Sequence, residues 1–543
     1  MAAFPGTRRS TAGNQRTDLR SAASGRGRSV GPGKKTSETI LKEVAREAEQ
    51  LLQIIFRDRE ATGRLDLDSA ETAIRAALLH AGAAVLTPLL QFKPPDADHL
   101  TVPCRCGHTA RYKEMRSKTF LSVVGPVQVR RPYYHCASCS TGQHPLDCEL
   151  GIAGLESSPG VRRMEAVVGA EMPFGPAREP MKVLAGLEVP AKAIERTAEA
   201  IGTAIAARDK CEIDRAKQLV LPIVTKQNIP KMYVLMDGVQ IPVVASEAEG
   251  RTGRIEGQRA RTRECKLGCV FTQTTVDKEG WPVRDPDSTT YVGAIETAEE
   301  FGYRIYTEAW RRGWEWAIIK IVIADGAVWI WNQADLHFPG AVQIVDLYHA
   351  RQHLAELAAL LHPHDAAAKR LWLAPMRELL DEGKIEELVE RLRAIAVEQA
   401  VTCPNPTNEV LTEAEYFATN ASRMNYPDFR ARGFFVGSGV IEAGCKAIVG
   451  QRIKRSGMFW TLRGANAITL CAAPVTTERL KTTGKNLAPP DPPFIFMSHT
   501  PRSTSASRAF YVRVTRSLHH LVPKMGPPFR DDPNGVSDGP QLS

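Results

Sequence analysis

The sequence predicts a mixed α/β protein of several domains, with a sheet-forming core interrupted by an all-helical insertion and preceded by helical and zinc-ribbon-like segments. Three observations carry that prediction. Short apolar, β-branched runs at 232–244, 264–276, 318–325 and 341–346 are bounded by turn residues and read as buried strands. From about 350 to 430 the apolar residues recur at helical steps, ELLDEGKIEELVERLRAIAVEQA being the strongest amphipathic case. Two close cysteine pairs, Cys104 with Cys106 and Cys136 with Cys139, flank about thirty residues of alternating strand pattern.

At 543 residues the chain exceeds one ordinary core, so two to four domains are expected. The net charge of +9 is unevenly spread: residues 1–40 hold eight Arg or Lys against Asp18 and Glu38, and so supply +6 of it. This Gly- and Ser-rich segment reads as a disordered basic tail over 1–38. It suits an anionic polymer such as nucleic acid, and equally a solubilising terminus. No signal-peptide apolar core follows it, and the most apolar helical stretch, AIRAALLHAGAAVLTPLLQF, is interrupted by Arg75, His80 and Pro88. A soluble intracellular protein with no membrane partner is expected, in which eleven cysteines speak for metal rather than for disulfides.

Residues 39–95 read as a helical N-terminal segment that ends at PPDAD. The zinc-ribbon-like segment spans 96–150: two tight cysteine turns on facing hairpins supply four thiolates to a tetrahedral Zn²⁺. Its C-x-C half is tighter than the usual C-x-x-C, which leaves His108, His135 or Cys148 as alternative ligands. The remaining cysteines, Cys211, Cys265, Cys269, Cys403, Cys445 and Cys471, are scattered and read as small buried hydrophobes. The helical segment 151–227 contains two helices joined by a turn around Gly186 to Pro190. That pattern fits a helix-turn-helix DNA reader with Lys182 and Lys192 as contacts, and a solvated helix face explains the two lysines equally.

The first part of the α/β core occupies 228–349. Its strands are MYVLMDGVQIPVV, ECKLGCVFTQTTV after a basic connector (Arg251, Arg254, Arg259, Arg261, Arg263), IIKIVIAD and AVQIVD, with helices around 296–312 and 327–333. Strands first and an alternating half afterwards predict a mixed sheet. The all-helical insertion covers 350–432, and the last part of the core covers 433–473. Residues 474–543, with ten prolines between 489 and 540, read as a disordered, divergent tail.

Three acidic residues stand out. Asp237 and Asp325 each close an apolar strand and precede a glycine, and Glu442 opens a helix in GSGVIEAGCK. A carboxylate at the end of a core strand is too costly to bury without a cation, a helix N-terminus or solvent. A hairpin turn at Asp237 and an N-cap at Asp325 are the competing explanations. From 446 to 463 there is no acid, while Lys446, Arg452, Lys454, Arg455 and Arg463 are present. Carboxylates that hold a divalent ion beside cations that hold phosphate are what phosphodiester cleavage requires. Trp460 is a candidate base stacker, although a core position is the more ordinary role. Asp346 and His349 form a D-x-x-H pair that fits either a ligand pair or a helix cap with its neighbour.

The succession DGV, KLG, ADGA, DLYHA, a helical insertion and GSGVIEAGCKAIVGQRIKRSGMFWT resembles the bacterial insertion-sequence transposases of the ISKra group, relatives of the Mutator-type transposases. The likeness spans roughly 40 to 472. It implies an RNase H-like core with a DDE triad, here Asp237, Asp325 and Glu442, and an all-helical insertion before the Glu. Asp346 and His349 then match the family's C/D-x-x-H motif as a second shell. The implied cofactor is Mg²⁺, or Mn²⁺, as two ions held by the triad about 3.5–4 Å apart. Lys446, Arg452, Lys454 and Arg455 would contact the DNA backbone. The implied partners are double-stranded DNA, as element ends and target, and further copies of the chain in a homo-oligomer. The implied setting is a bacterial cytoplasm, associated with the nucleoid. The chain departs from the family after Leu470, where Pro474 would cut short the helix carrying Glu442. An inactive, transposase-derived, zinc-containing DNA-binding protein is the alternative that this ending raises.

Overall fold

The protein is described here by a computed structural model that covers residues 66–250, 261–402 and 407–473 without a break, with scattered positions between 42 and 64. The basic tail 1–38, most of the connector arginines, Cys403 and the segment 474–543 lie outside the described residues, and all described residues belong to one unit, Met1–Ala488.

Helix α1 (Leu67–Leu89) starts at Asp66, whose carboxylate caps it by accepting from the Ser69 N–H and hydroxyl. By length and composition α1 is long and apolar enough to cross a membrane. Here Ala83 packs with Phe120, Val127 and Val129 of the neighbouring sheet, and Arg75 donates to the carbonyls of Val183 and Leu184. That sheet is antiparallel and runs in chain order: β1 (Thr101–Pro103), β2 (Thr109–Ser122), β3 (Gly125–Cys136) and β4 (Thr141–Gln143). Short α2 (Pro145–Glu149) is pinned to it by a buried two-pronged contact, in which Arg131 Nε reaches Asp147 Oδ1 at 2.7 Å and its Nη2 reaches Oδ2 at 3.0 Å.

Three helices follow, α3 (Pro159–Glu171), α4 (Arg178–Ala185) and α5 (Ala191–Lys217). The turn expected between the last two is present: α4 ends on Gly186 at φ 68°, a left-handed position that favours glycine, and Pro190 precedes α5.

The central sheet contains β5 (Ile229–Pro242), β6 (Thr262–Gln273), β9 (Thr290–Ala294), β10 (Ala317–Ala324) and β11 (Val342–Val345), in the order β11-β10-β5-β6-β9. A small hairpin of β7 (Thr275–Val276) and β8 (Pro282–Val283) lies between β6 and β9 in the chain. Strands β5, β10 and β11 are parallel, and β6 is antiparallel to both of its neighbours. Helix α6 (Ala298–Arg311) leads from β9 to β10, and α7 (Val328–His337) is the crossover between β10 and β11. The parallel strands read as unbroken apolar runs because helices cover them: Val234, Leu235, Ile321, Val322, Ile323 and Ile344 are all fully buried.

Helices α8 (Leu347–Leu361), α9 (Ala366–Asp381), α10 (Ile385–Thr402), α11 (Thr407–Asn420) and α12 (Tyr426–Ala431) make up the helical stretch before Glu442. The chain then returns through α13 (Gly439–Gly444), a π-helical turn Cys445–Gly450 and α14 (Leu462–Ala472).

Four sequence expectations change. Asp237 lies inside the fourteen-residue β5 rather than at its end, because β6 keeps pairing with β5 through Pro242. Strand β9 was not anticipated, being only five residues long. Helix α7 runs four residues past the expected 333. Glu442 and Pro474 do not share a helix: the chain leaves helical geometry after the π turn, and α14 starts afresh with Thr461 as its cap, accepting from the Gly464 N–H at 3.1 Å. Pro474 therefore bounds α14, while the element that carries Glu442 ends well before it.

Candidate functional site

The parallel register of β5 and β10 builds the centre of the site. Its last rung pairs Leu235 with Ile323, and both chains run on two residues further to Asp237, inside β5, and Asp325, one residue past β10. Adjacent paired strands are about 4.8 Å apart, and Asp325 lies near enough for its charge to act on the Asp237 carboxyl. Both residues are half-buried. Asp237 Oδ1 accepts from the Gly238 N–H at 2.6 Å and Oδ2 from the Cys445 thiol at 3.2 Å. Burial pushes the Asp237 carboxyl above the usual range; the Cys445 and Gly238 hydrogen bonds oppose that, and the negative charges of Asp325 and Glu442 add to it. Burial also pushes the Cys445 thiol well up, so it stands as an S–H donor.

Asp325 does not cap α7. Its Oδ1 accepts from the Ala327 N–H at 3.0 Å, a local turn that leaves the other oxygen available. Gly326 has φ 102°, and a Cβ there would run into the Tyr416 ring, whose hydroxyl donates to the Asp325 carbonyl at 2.9 Å. The helical stretch thus touches the site through α11.

Glu442 is exposed and approaches Asp237 through its own short helix: Cys445, three residues later, is the residue that contacts Asp237. That segment is pressed onto the sheet at Gly444, where a Cβ would lie 2.2 Å from the Tyr291 ring, and Tyr291 donates to the Val440 carbonyl at 3.0 Å. Glu442 Oε1 also lies 3.3 Å from the Ser438 hydroxyl, and Oε2 lies 3.5 Å from Lys446 Nζ. The Lys446 pair is open to solvent and contributes little.

Asp346 is buried and fully engaged. Oδ1 accepts from the N–H groups of Tyr348 (2.6 Å) and His349 (3.2 Å), capping α8, while Oδ2 accepts from the Ser438 N–H (2.8 Å) and hydroxyl. Its own N–H donates to the Ala324 carbonyl at 2.8 Å. Asp346 therefore joins the end of β10, the start of α8 and the loop before Glu442. The His349 ring turns to His353, with Nε2 to Nε2 3.1 Å, and His353 Nδ1 lies 2.8 Å from Glu413 of α11. Its backbone, not its ring, meets Asp346.

Of the four cations expected to face DNA, Lys446, Lys454 and Arg455 are exposed. Arg452 is a correction: it is 1% exposed, its Nε donates to the Gly169 carbonyl at 2.9 Å, and its guanidinium lies over the rings of Phe174 (4.7 Å) and Trp460 (5.2 Å). Trp460 is likewise a core residue, donating from Nε1 to the Ile453 carbonyl at 2.9 Å. Lys182 and Lys192 are exposed and pair with Glu188 and Glu195.

The second centre is the cysteine quartet. Cys104, Cys106, Cys136 and Cys139 offer four sulfurs within 4.8 Å of one another, the one such group of potential ligands among the described residues. Cys104 and Cys139 sulfurs are 3.5 Å apart, and those of Cys106 and Cys136 3.6 Å. The C-x-C half closes because Gly107 takes φ 84° and the Cys104 N–H pairs with the His108 carbonyl at 2.7 Å. The Thr141 hydroxyl, followed by Cys106, draws the Cys139 thiol down to about 6. Four converging sulfurs, one of them easily ionised, fit a tetrahedral zinc ion. His108 Nδ1 lies 3.5 Å from Cys106 as a neighbour of the quartet.

Sequence reading missed Cys445, Ser438, His353, Glu413 and Tyr416. Only the first two carried a signal, as residues one helical turn either side of Glu442.

Fold and sites define a mixed α/β protein with a four-cysteine cluster that can hold zinc. Asp237, Asp325 and Glu442 lie near one another at the central sheet, but their oxygens do not close into a group as tight as the quartet. No family model and no curated protein matches the chain. Among solved structures, the "Drosophila P element transposase strand transfer complex" aligns with 56% of this chain and 96% of that chain, at a TM-score of 0.23 and 8% identity. A likeness at that TM-score carries no weight for fold or function.

Proposed function

We propose that this chain is a DDE-type DNA transposase that cleaves and joins strands at the ends of an insertion-sequence element. The observation that carries this reading is the Cys445 contact that brings the Glu442 segment to Asp237, with the parallel pairing of β5 and β10 running up to two residues before Asp237 and Asp325. The mixed sheet, with two parallel neighbours on one side of β5 and antiparallel pairing on the other, supports the RNase H-like core implied by the sequence resemblance.

Asp237, Asp325 and Glu442 are the residues that would hold divalent ions. Mg²⁺ or Mn²⁺ bound there supplies an activated water or 3′-hydroxyl and stabilises the leaving oxygen of an in-line displacement. The residue types suit hard cations: all three are carboxylates, and each has an oxygen not committed to a backbone N–H. Exposed Lys446, Lys454 and Arg455 would hold the phosphodiester backbone.

The test is Mg²⁺-dependent cleavage of a duplex carrying the element ends. Asp237→Asn is expected to lower the rate by at least about a thousandfold, in line with the loss of a group placed at developing charge. DNA affinity is expected to hold within a few fold. Wild type and variant that bind equally and never cut would leave a DNA-binding protein instead.

A further inference from the structure

Asp237 is the most constrained of the three carboxylates, and one of its two constraints comes from a side chain no reaction step uses. Oδ1 is held by the adjacent Gly238 N–H, which comes with the β5 backbone whatever the side chains. Oδ2 is held by Cys445, which is 208 residues away in the chain and only 8% exposed. The contact is built by the fold. Gly444 lets the segment close onto Tyr291, and the chain changes at Cys445 from α to π geometry, which alters the direction of the side chains that follow Glu442.

We propose that Cys445 is a positioning residue for the divalent-ion site, its thiol fixing the plane of the Asp237 carboxylate so that the ion meets an oriented ligand. The inference rests on the proposed function. The terminal torsion of Asp is broad and roughly two-fold, so a carboxylate tied at one oxygen keeps much of its freedom, and one tied at both does not. A hydrogen bond to one lone pair of Oδ2 leaves the other lone pair for the ion. Outer-shell partners of ligating side chains change metal affinity by roughly 10- to 100-fold when removed.

The experiment measures Mn²⁺ binding to the full chain without DNA, by electron paramagnetic resonance, alongside the Mn²⁺ concentration that half-saturates cleavage. Cys445→Ala and Cys445→Val, the latter filling the thiol's volume without its proton, are expected to weaken Mn²⁺ binding by about tenfold or more. Cys445→Ser, which restores a donor, is expected to recover affinity to within about threefold of wild type, a recovery that a purely packing role would not give to Ser over Val. DNA affinity and the thermal midpoint of Cys445→Val report whether folding is intact. Wild-type affinity in both Ala and Val variants, or a Ser variant as weak as Val, overturns the inference while Asp237-dependent binding in wild type still stands. Absence of any Mn²⁺ binding that Asp237→Asn removes overturns both the inference and the proposed function.

Discussion

Charge at a single residue has opposite consequences depending on what the fold does with it. Lys454 and Arg455 point to solvent, and Arg452 is folded under aromatic rings with Nη1 and Nη2 lacking hydrogen-bond partners among the described residues. If DNA lies across the exposed pair, Lys454→Ala with Arg455→Ala reduces the slope of log affinity against log salt by about two, whereas Arg452→Met leaves that slope unchanged. Filter binding between about 50 and 200 mM salt measures both. His337 gives a residue-scale effect of another kind. It is buried against Tyr303, its Nε2 without a hydrogen-bond partner among the described residues, and burial lowers it from 6.5 to about 4. The folded protein thus keeps His337 neutral while the unfolded chain takes up a proton below 6.5. Its contribution is complete above pH 6.5 and is lost as pH falls towards 4. Urea unfolding is expected to show roughly 2–3 kcal/mol less stability at pH 4.5 than at pH 7 from this residue, a loss that His337→Leu removes.

Whole elements depend on how closely backbones approach and on what closes their turns. Helices α5 and α14 touch at Gly202, where a Cβ would come 2.0 Å from the Ala467 carbonyl oxygen. Neither partner is a movable side chain, so Gly202→Ala must separate the helices. A destabilisation of roughly 3 kcal/mol is expected, read by thermal or denaturant unfolding. This contact also makes the helices around 159–217 part of the packing around the central sheet: Ala166, Ala170, Ile201 and Ile205 share a buried cluster with Leu470 and Cys471. The sheet of β1 to β4 depends on its cysteine quartet in the same way. Purified protein is expected to carry about one zinc per chain by elemental analysis. Cys136→Ser should abolish that stoichiometry and lower the unfolding midpoint, since binding by a preformed quartet stabilises the folded state.

For the molecule as a whole, the candidate site depends on a chain that leaves the sheet at β11 and returns about ninety residues later. Asp346 makes the return specific. It holds the end of β10, caps α8 and receives two hydrogen bonds from Ser438, four residues before Glu442. Asp346→Ala would leave several buried donors unpaired, at about 1–3 kcal/mol each before relaxation. A loss of at least about 3 kcal/mol is expected in denaturant unfolding, with hydrogen exchange accelerated over 434–444. Equal stability in the variant would show that Glu442 is held by other contacts. Ser438 has one hydroxyl proton and two carboxylates within reach, so it serves Asp346 or Glu442 and not both.

The sequence by itself determined the elements whose cause is local. Apolar runs made β5, β6, β10 and β11, helical periodicity made α8 to α12, Gly186 and Pro190 marked the turn before α5, and paired cysteines marked the zinc-competent cluster. Asp237, Asp325 and Glu442 were legible as unusual carboxylates beside glycines and an acid-free basic run. Tertiary structure alone decided the rest, because it depends on which distant atoms meet. Strand pairing brought the chain to within two residues of Asp237 on β5 and Asp325 after β10, near enough for the second charge to act on the first. Close approach at Gly444 brought Cys445 to Asp237, and packing against Gly169, Phe174 and Trp460 buried Arg452 while leaving Lys454 and Arg455 outside. Asp346, legible as a helix cap or a second-shell residue, caps α8 and also accepts from Ser438, a contact no sequence pattern announced, since hydrogen-bond partners ninety residues apart leave no periodic trace.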